Sequence, residues 1–380
     1  MRVVLLGAGP TAQAAAFDRS READLTEITI ADVDFGRAQA LAKRWGDPRM
    51  KAVHWDAADE GATARLLAGA RAALSLAPYR FNAGLARAAV EARCSFCDLG
   101  GNNAVVAQEL ALDGEARSAG ITLVPDCGLA PGMVSVLAAD AIGAMDRAES
   151  VEIRVGGLPQ RRGGPMDYSL LFNIQGLINE YIEDAVVLED GEPRVVECPG
   201  DFEELEFPEP FGRLEAFNTS GGTSTLPETY RGRVRRLNYK TIRYPGHGKA
   251  ILAMKQLGLF SSKPVMVEGV PVKPRELFAA AAGPVLDRGE PDVTLLRVTA
   301  QGEKGGRPFS RRYQMIEVAD AEHGLSAMMR TTAYPATVVL MMLARGQVAA
   351  KGALPQERCI DPAAFLAGLK GCGLKVEVEG

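Results

Sequence analysis

Short apolar runs alternate with alanine-rich stretches over the first 130 residues of the chain. The apolar runs fall at Val3–Leu6, Glu27–Ala31, Ala52–Trp55, Ala72–Leu76, Ser95–Leu99 and Thr122–Pro125. Between them, small and apolar residues recur at three- and four-residue steps, as in residues 35–42 behind Asp34 and in residues 82–90. Strand, helix, strand at this spacing predicts a parallel, doubly wound sheet. A further apolar helix is expected from Pro131-Gly132 to about Ala144. The texture then changes. Residues 150–157 alternate apolar and charged positions, and the same alternation returns at 265–268, 293–300 and 313–318, each expected to form a half-exposed antiparallel strand. From about Arg330 the pattern is helical again, notably at 336–343, and this segment is expected to return to the first sheet. The fold class is therefore α/β. A Rossmann-type domain from residues 1–146 and 325–380 is completed by C-terminal helices, and an inserted α+β domain at 147–324 is assigned to substrate and subunit contacts.

Composition supports two domains and narrows the partners. A chain of 380 residues with 47% hydrophobic and 24% charged positions is too long for one core. Its net charge of −5, with no basic run longer than Arg161-Arg162, argues against nucleic acid and anionic membranes. The first residues enter a strand with no leader-like apolar segment, and no later stretch has the roughly 18 apolar residues a membrane helix needs, so a cytoplasmic location is expected. Six cysteines are thinly spread. The one close pair, Cys94-x-x-Cys97, reads as a buried strand of reduced thiols. The only histidines are His54, His247 and His323, and no metal site is expected.

The first strand runs directly into Gly7-Ala8-Gly9-Pro10-Thr11-Ala12, which opens a helix. In that setting G-x-G-x-x-A is a strong dinucleotide fingerprint. Gly7 permits the turn, Gly9 lets the backbone approach a pyrophosphate, Ala12 allows close helix packing, and free amides at the helix start face the anion. Asp32, about 23 residues past Gly9, ends the second strand where a carboxylate binds the ribose hydroxyls and repels a 2′-phosphate, which predicts NAD rather than NADP. Asp34 is read as a helix cap. Asp56, after the third strand, either meets the adenine amino group or is a surface aspartate. Leu76-Ala77-Pro78-Tyr79 and Asp98-Leu99-Gly100 end the fourth and fifth strands and are expected to line the nicotinamide half of the cleft.

Six segments carry a resemblance over nearly the whole chain: residues 98–101, 125–133 (Pro-Asp-Cys-Gly-Leu-Ala-Pro-Gly-Met), 155–159, 220–226 (Ser-Gly-Gly-Thr-Ser-Thr-Leu), 239–247 (Tyr-Lys-Thr-Ile-Arg-Tyr-Pro-Gly-His) and 330–334. The chain resembles the saccharopine dehydrogenase-like family, and in segments 220–226 and 239–247 most closely its L-lysine 6-dehydrogenase branch. The resemblance implies a Rossmann domain with an α+β substrate domain, and a homodimer or higher oligomer. It also implies NAD-dependent oxidation of the lysine side-chain amine to a semialdehyde, with release of ammonia. Saccharopine- or carboxynorspermidine-type coupling, another diamino acid, and a non-catalytic NAD sensor remain as alternatives.

An amino-acid substrate calls for a fixed cation and proton acceptors. Arg243 is the expected carboxylate partner, since its planar fork bonds both oxygens. Asp126, at a bend after the sixth strand, either holds an ammonium, acts as base or caps a helix. Lys240 and His247 are the other candidates for proton transfer. Asn218, Thr219, Ser220, Thr223 and Ser224, in a polar glycine-rich loop, and Tyr239 are assigned to hydrogen bonding with the substrate.

Overall fold

The computed structural model describes residues 1–380 and divides into two compact units: residues 1–143, 224–226 and 329–376, and residues 144–223, 227–328 and 377–380. In the first, strands β1 (Arg2–Leu6), β2 (Glu27–Asp32), β3 (Met50–His54), β4 (Ala72–Ser75), β5 (Ser95–Asp98) and β6 (Thr122–Val124) alternate with helices. These are α1 (Pro10–Ser20), α2 (Phe35–Arg44), α3 (Glu60–Leu67), α4 (Asn82–Glu91), α5 (Asn103–Leu110), α6 (Asp113–Ala119) and α7 (Met133–Gly143). The caps follow from sequence. Asp34 accepts from the Arg37 amide to start α2, Asp59 from Ala62 to start α3, and Asn102 from Ala104 and Val105 to start α5.

The second unit carries β7 (Arg147–Pro159), α8 (Ile174–Ile182), β8 (Ala185–Glu189), β9 (Glu192–Val196), β10 (Gly200–Phe207) and β11 (Gly212–Asn218). After α9 (Leu226–Thr229) come β12 (Arg236–Arg243), α10 (His247–Gln256), β13 (Val265–Val267), β14 (Val270–Val272), α11 (Pro274–Leu286), β15 (Asp292–Lys304) and β16 (Arg307–Val318). The chain ends with α12 (Ala327–Ala344), β17 (Gly352–Ala353), α13 (Gln356–Cys359), α14 (Pro362–Gly371) and β18 (Glu377–Glu379).

All strands of the first sheet are parallel, in the order β17-β6-β5-β4-β1-β2-β3. The order reverses at β1, which lies between β2 and β4, so ligands are expected at the carboxyl ends of β1 and β4. Val3 to Leu6 are wholly buried, as a parallel strand covered on both faces requires. Cys94 and Cys97 are free thiols buried at and in β5.

The second sheet is mixed: β12 pairs parallel with β7, and β7 pairs antiparallel with β15. Three expectations change here. Residues 150–157 are not half-exposed, because β7 is an interior strand between β12 and β15 and is buried over most of its length. Residues 265–268 leave the main sheet for the small β13–β14 hairpin, where Met266 is 68% exposed. The last strand, β18, pairs with β16 and so does not belong with the first sheet.

Candidate functional site

At the turn after β1, Gly7 has φ +119, and a Cβ there would lie 2.9 Å from the Leu76 carbonyl, so only glycine fits between β1 and β4. Gly9 has open space where a side chain would be, which leaves the backbone approachable. Pro10 occupies the first turn of α1, and Ala12 is fully buried against the fold. Thr11, between them, is partly exposed. The Asp32 carboxylate accepts the Ala8 amide at 2.7 Å and the Asp34 amide at 2.8 Å, which ties the end of β2 to the glycine turn. It stays partly exposed, with lone pairs left for hydroxyl donors. These features fit a dinucleotide: a side-chain-free approach at a helix start and an acidic acceptor at the neighbouring strand end.

Leu76, Ala77 and Pro78 follow β4, and Tyr79 is 39% exposed with its ring edge 3.4 Å from where a Gly101 side chain would begin. Asp56 is exposed and accepts from Ala58 in a local turn, as a surface aspartate does. Asp98 departs from expectation. It is fully buried, and its carboxylate turns into the fold to accept the Gly100 amide at 2.6 Å and the Asp126 amide at 3.3 Å. Its side chain thus shapes the Leu99-Gly100 turn from inside the fold.

Asp126 sits just past β6 with φ +62 and is 6% exposed. One oxygen accepts the Ser224 hydroxyl, the Gly101 amide lies beside the carboxyl, and Oδ1 is buried without a well-aligned donor. A Cβ on Gly100 would overlap that oxygen at 1.6 Å, so the glycine makes room for the carboxyl. The Gln356 amide donates to the Asp126 carbonyl, and Thr225 donates to Glu357 at 2.8 Å beside it. Burial, followed by the charge of Asp98, pushes the Asp126 carboxyl up to about 7. It does not cap α7. It is a carboxyl that gains and loses a proton near neutrality.

The second unit assembles a different cluster. Side chains alternate along β12, so Tyr239, Thr241 and Arg243 share one face. Helix α8, capped by Asn173, brings Glu180 and Tyr181 to that face, and the first residue of α10, His247, joins them. Arg243 donates to the Tyr181 hydroxyl at 3.1 Å, to the Ile242 carbonyl at 2.9 Å and to Glu180 at 3.4 Å, and it lies over the rings of Tyr168 and Tyr181. Its guanidinium has donors to spare beyond these contacts.

The Tyr181 hydroxyl lies 2.8 Å from His247 Nε2, and the Met166 carbonyl facing Nδ1 can only accept, so in the neutral imidazole Nε2 accepts the Tyr181 hydroxyl. The His247 proton then lies on Nδ1, facing the Met166 carbonyl at 3.4 Å. Burial and the Arg243 charge drive the imidazole pKa down to about 3. His247 is therefore a neutral, weakly basic brace for Tyr181, and not the proton acceptor that its position suggests. Burial raises the Glu180 carboxyl, opposed by Arg243, and pushes the Tyr181 phenol up to about 12.

Lys240 lies on the opposite face of β12, since it stands an odd number of positions, three, before Arg243. Its ammonium bridges Asp201 and Glu203, each at 2.8 Å, beside Arg154. It is a structural ion pair and cannot act near Arg243. Asn218, paired with Lys240 across β11, shares that other face, so it too is removed from the Arg243 cluster. Thr219 does reach it, bonding Thr241 at 2.6 Å. Ser220 braces the end of α8 through the Asn179 carbonyl, and Thr223 is tied to the Val186 carbonyl. Sequence reasoning missed Glu180, Tyr181 and Tyr168, which no motif marks.

Residues 3–124 match the saccharopine dehydrogenase NADP binding domain and residues 128–374 the saccharopine dehydrogenase C-terminal domain. The chain is 29% identical over 200 residues to the NADP-dependent, L-glutamate-forming saccharopine dehydrogenase of Saccharomyces cerevisiae, covering 51% of this chain and 43% of that one. It is 28% identical over 280 residues to carboxynorspermidine synthase of Vibrio cholerae, covering 69% of this chain and 64% of that one. In each case the match spans less than two thirds of the relative. Among solved structures, apo saccharopine dehydrogenase from S. cerevisiae superposes with a TM-score of 0.82 at 20% identity, over 100% of this chain and 99% of that one. The NAD complex of homospermidine synthase from Legionella pneumophila gives 0.65 at 11% identity, over 100% and 91%. With a family domain matched over more than half its length, this chain belongs to the saccharopine dehydrogenase family.

Proposed function

We propose that the protein is an NAD-dependent dehydrogenase that oxidises the ε-amine of L-lysine and releases ammonia. The observation that carries this reading is the pairing of buried Arg243 with Glu180. The two mirror an amino-acid head group: the guanidinium takes the α-carboxylate, and the Glu180 carboxylate takes the α-ammonium. Tyr181, held between Arg243 and His247, keeps the fork in plane.

Lysine's side-chain amine is protonated at neutrality, with a reference pKa near ~10.4, and only its neutral form can assist hydride departure. A carboxyl that ionises near 7, as Asp126 does, is suited to accept that proton and then to activate water. When bound, NAD would accept the hydride. Asp32 at the end of β2 supports NAD over NADP, because a 2′-phosphate would meet its charge. The similarity to saccharopine dehydrogenase and carboxynorspermidine synthase favours a second reading, joining an amine to a carbonyl partner with NADPH.

Cadaverine, which has lysine's amine without its carboxylate, tests the carrying observation. Lysine should exceed cadaverine in kcat/KM by roughly 10²-fold or more, and Arg243→Ala should erase the difference. Equal turnover of both by the unmodified protein would refute the head-group assignment.

A further inference from the structure

Helix α5 turns Glu109 inward beside Val106, and the glutamate is 1% exposed. No backbone amide or cation donates to either Glu109 oxygen, nor to Asp98 Oδ2. Glu109 and Asp98 instead interact side chain to side chain, and burial raises both carboxyls. Two ionised carboxylates cannot sit so in a dry interior, whereas one shared proton supplies the missing donor. Asp98 is the better holder of charge, since it accepts the amides of Gly100 and Asp126 and the Asn82 side chain, while Glu109 has no such donors. Burial, with the Asp98 charge, pushes Glu109 up to about 11.

The groups facing Asp126 are few. Asp98 comes from the end of β5, Glu357 from α13, the Ser224 hydroxyl and the Gly101 amide from loops, and Glu109 acts from behind Asp98. Buried Cys127 and partly buried Cys359 are held neutral by raised thiol pKa values. Resting on the reading of Asp126 as proton acceptor, we propose that Asp98 and Glu109 hold one proton between them, on Glu109. The negative charge thus kept on Asp98 governs the protonation of Asp126, which makes Glu109 a positioning residue for proton transfer.

The test is an infrared titration of carboxyl groups in the full chain without substrate, with Asp126→Asn identifying the Asp126 band. The unmodified protein should retain at pH 9 one protonated carboxyl that is missing from Glu109→Gln. Because glutamine keeps the donor and leaves Asp98 charged, the Asp126 midpoint should be the same in Glu109→Gln as in the unmodified protein. Asp98→Asn removes the charge and should lower that midpoint by about one pH unit. A downward shift in Glu109→Gln matching that of Asp98→Asn would mean that Glu109 is ionised, and would overturn the proposal. So would a pH 9 band unaffected by Glu109→Gln, which decides the matter even if Asp98→Asn does not fold. The titration uses no substrate, so a protein that shows it yet fails to oxidise lysine would refute only the proposed substrate.

Discussion

Arg243 and Asp126 are both nearly buried, yet their chemistry separates them. Arg243 is fixed by Tyr181, by its own strand backbone and by Glu180, and it keeps its charge in any usable pH range. It can only hold, so Arg243→Ala removes a contact present in ground and transition states alike. Steady-state kinetics should show KM for lysine rising by the order of 10²-fold, with kcat changing far less. Asp126 changes protonation near neutrality, and Asp126→Asn keeps its shape without its basicity. That variant should lower kcat by roughly 10²- to 10⁴-fold at nearly constant KM. If Asp126→Asn retains near-normal kcat, the proton acceptor lies elsewhere.

At the scale of elements, β12 shows what a strand does with a motif. Tyr239 to Arg243 read as one polar cluster in sequence, but the two-residue period sends Lys240 to Asp201 and Glu203 and Arg243 to Tyr181 and Glu180. Lys240→Gln should therefore change lysine kinetics by only a few-fold. It should lower stability by about 1–3 kcal/mol, because Glu203 keeps Arg154 but loses the second of its two cationic partners in a half-buried site. Thermal unfolding beside kinetics would check both, and a large fall in kcat with unchanged stability would contradict the placement. Against its burial, Arg154 first and Lys240 second hold the Glu203 carboxyl below the usual range, so this stabilisation exists above the ordinary glutamate pKa and is lost as pH falls.

The same strand marks the limit of what was legible in the sequence. The glycine turn, Asp32, the Asp34 cap and the order of strands and helices in the first unit were readable, because each rests on local spacing. Which face of β12 met which partner was not. That depends on α8 and β10, some 40 to 60 residues away, delivering Glu180 and Glu203 to opposite sides. Glu109 was invisible for a related reason, since a glutamate in an apolar helix betrays its role only once Asp98 is found against it.

For the whole molecule, two buried groups make stability depend on pH in opposite directions. Asp126 ionises at about 7 in the folded protein against 3.8 as its ordinary value, so its contribution is full below 3.8 and is lost as pH rises through 7. His247 is displaced from 6.5 to about 3, so its contribution is full above 6.5 and is lost as pH falls toward 3. Asp126→Asn should consequently be more stable than the unmodified protein at pH 8, by roughly 1–4 kcal/mol, and show no such advantage at pH 4. Denaturant unfolding at the two pH values would measure this, and equal differences at both would place the Asp126 titration outside this window.

The proposed oxidation takes both a hydride and the amine nitrogen from lysine. It is tested most directly by incubating the protein with L-lysine and either NAD or NADP at pH 9, measuring reduced cofactor and free ammonia together. One ammonia should be released per NADH formed, with NAD strongly preferred and the preference diminished in Asp32→Ala. Lysine oxidation would be contradicted if lysine gave no ammonia while NADPH was consumed only when an amine and a carbonyl acid were supplied together, the outcome expected of a coupling enzyme.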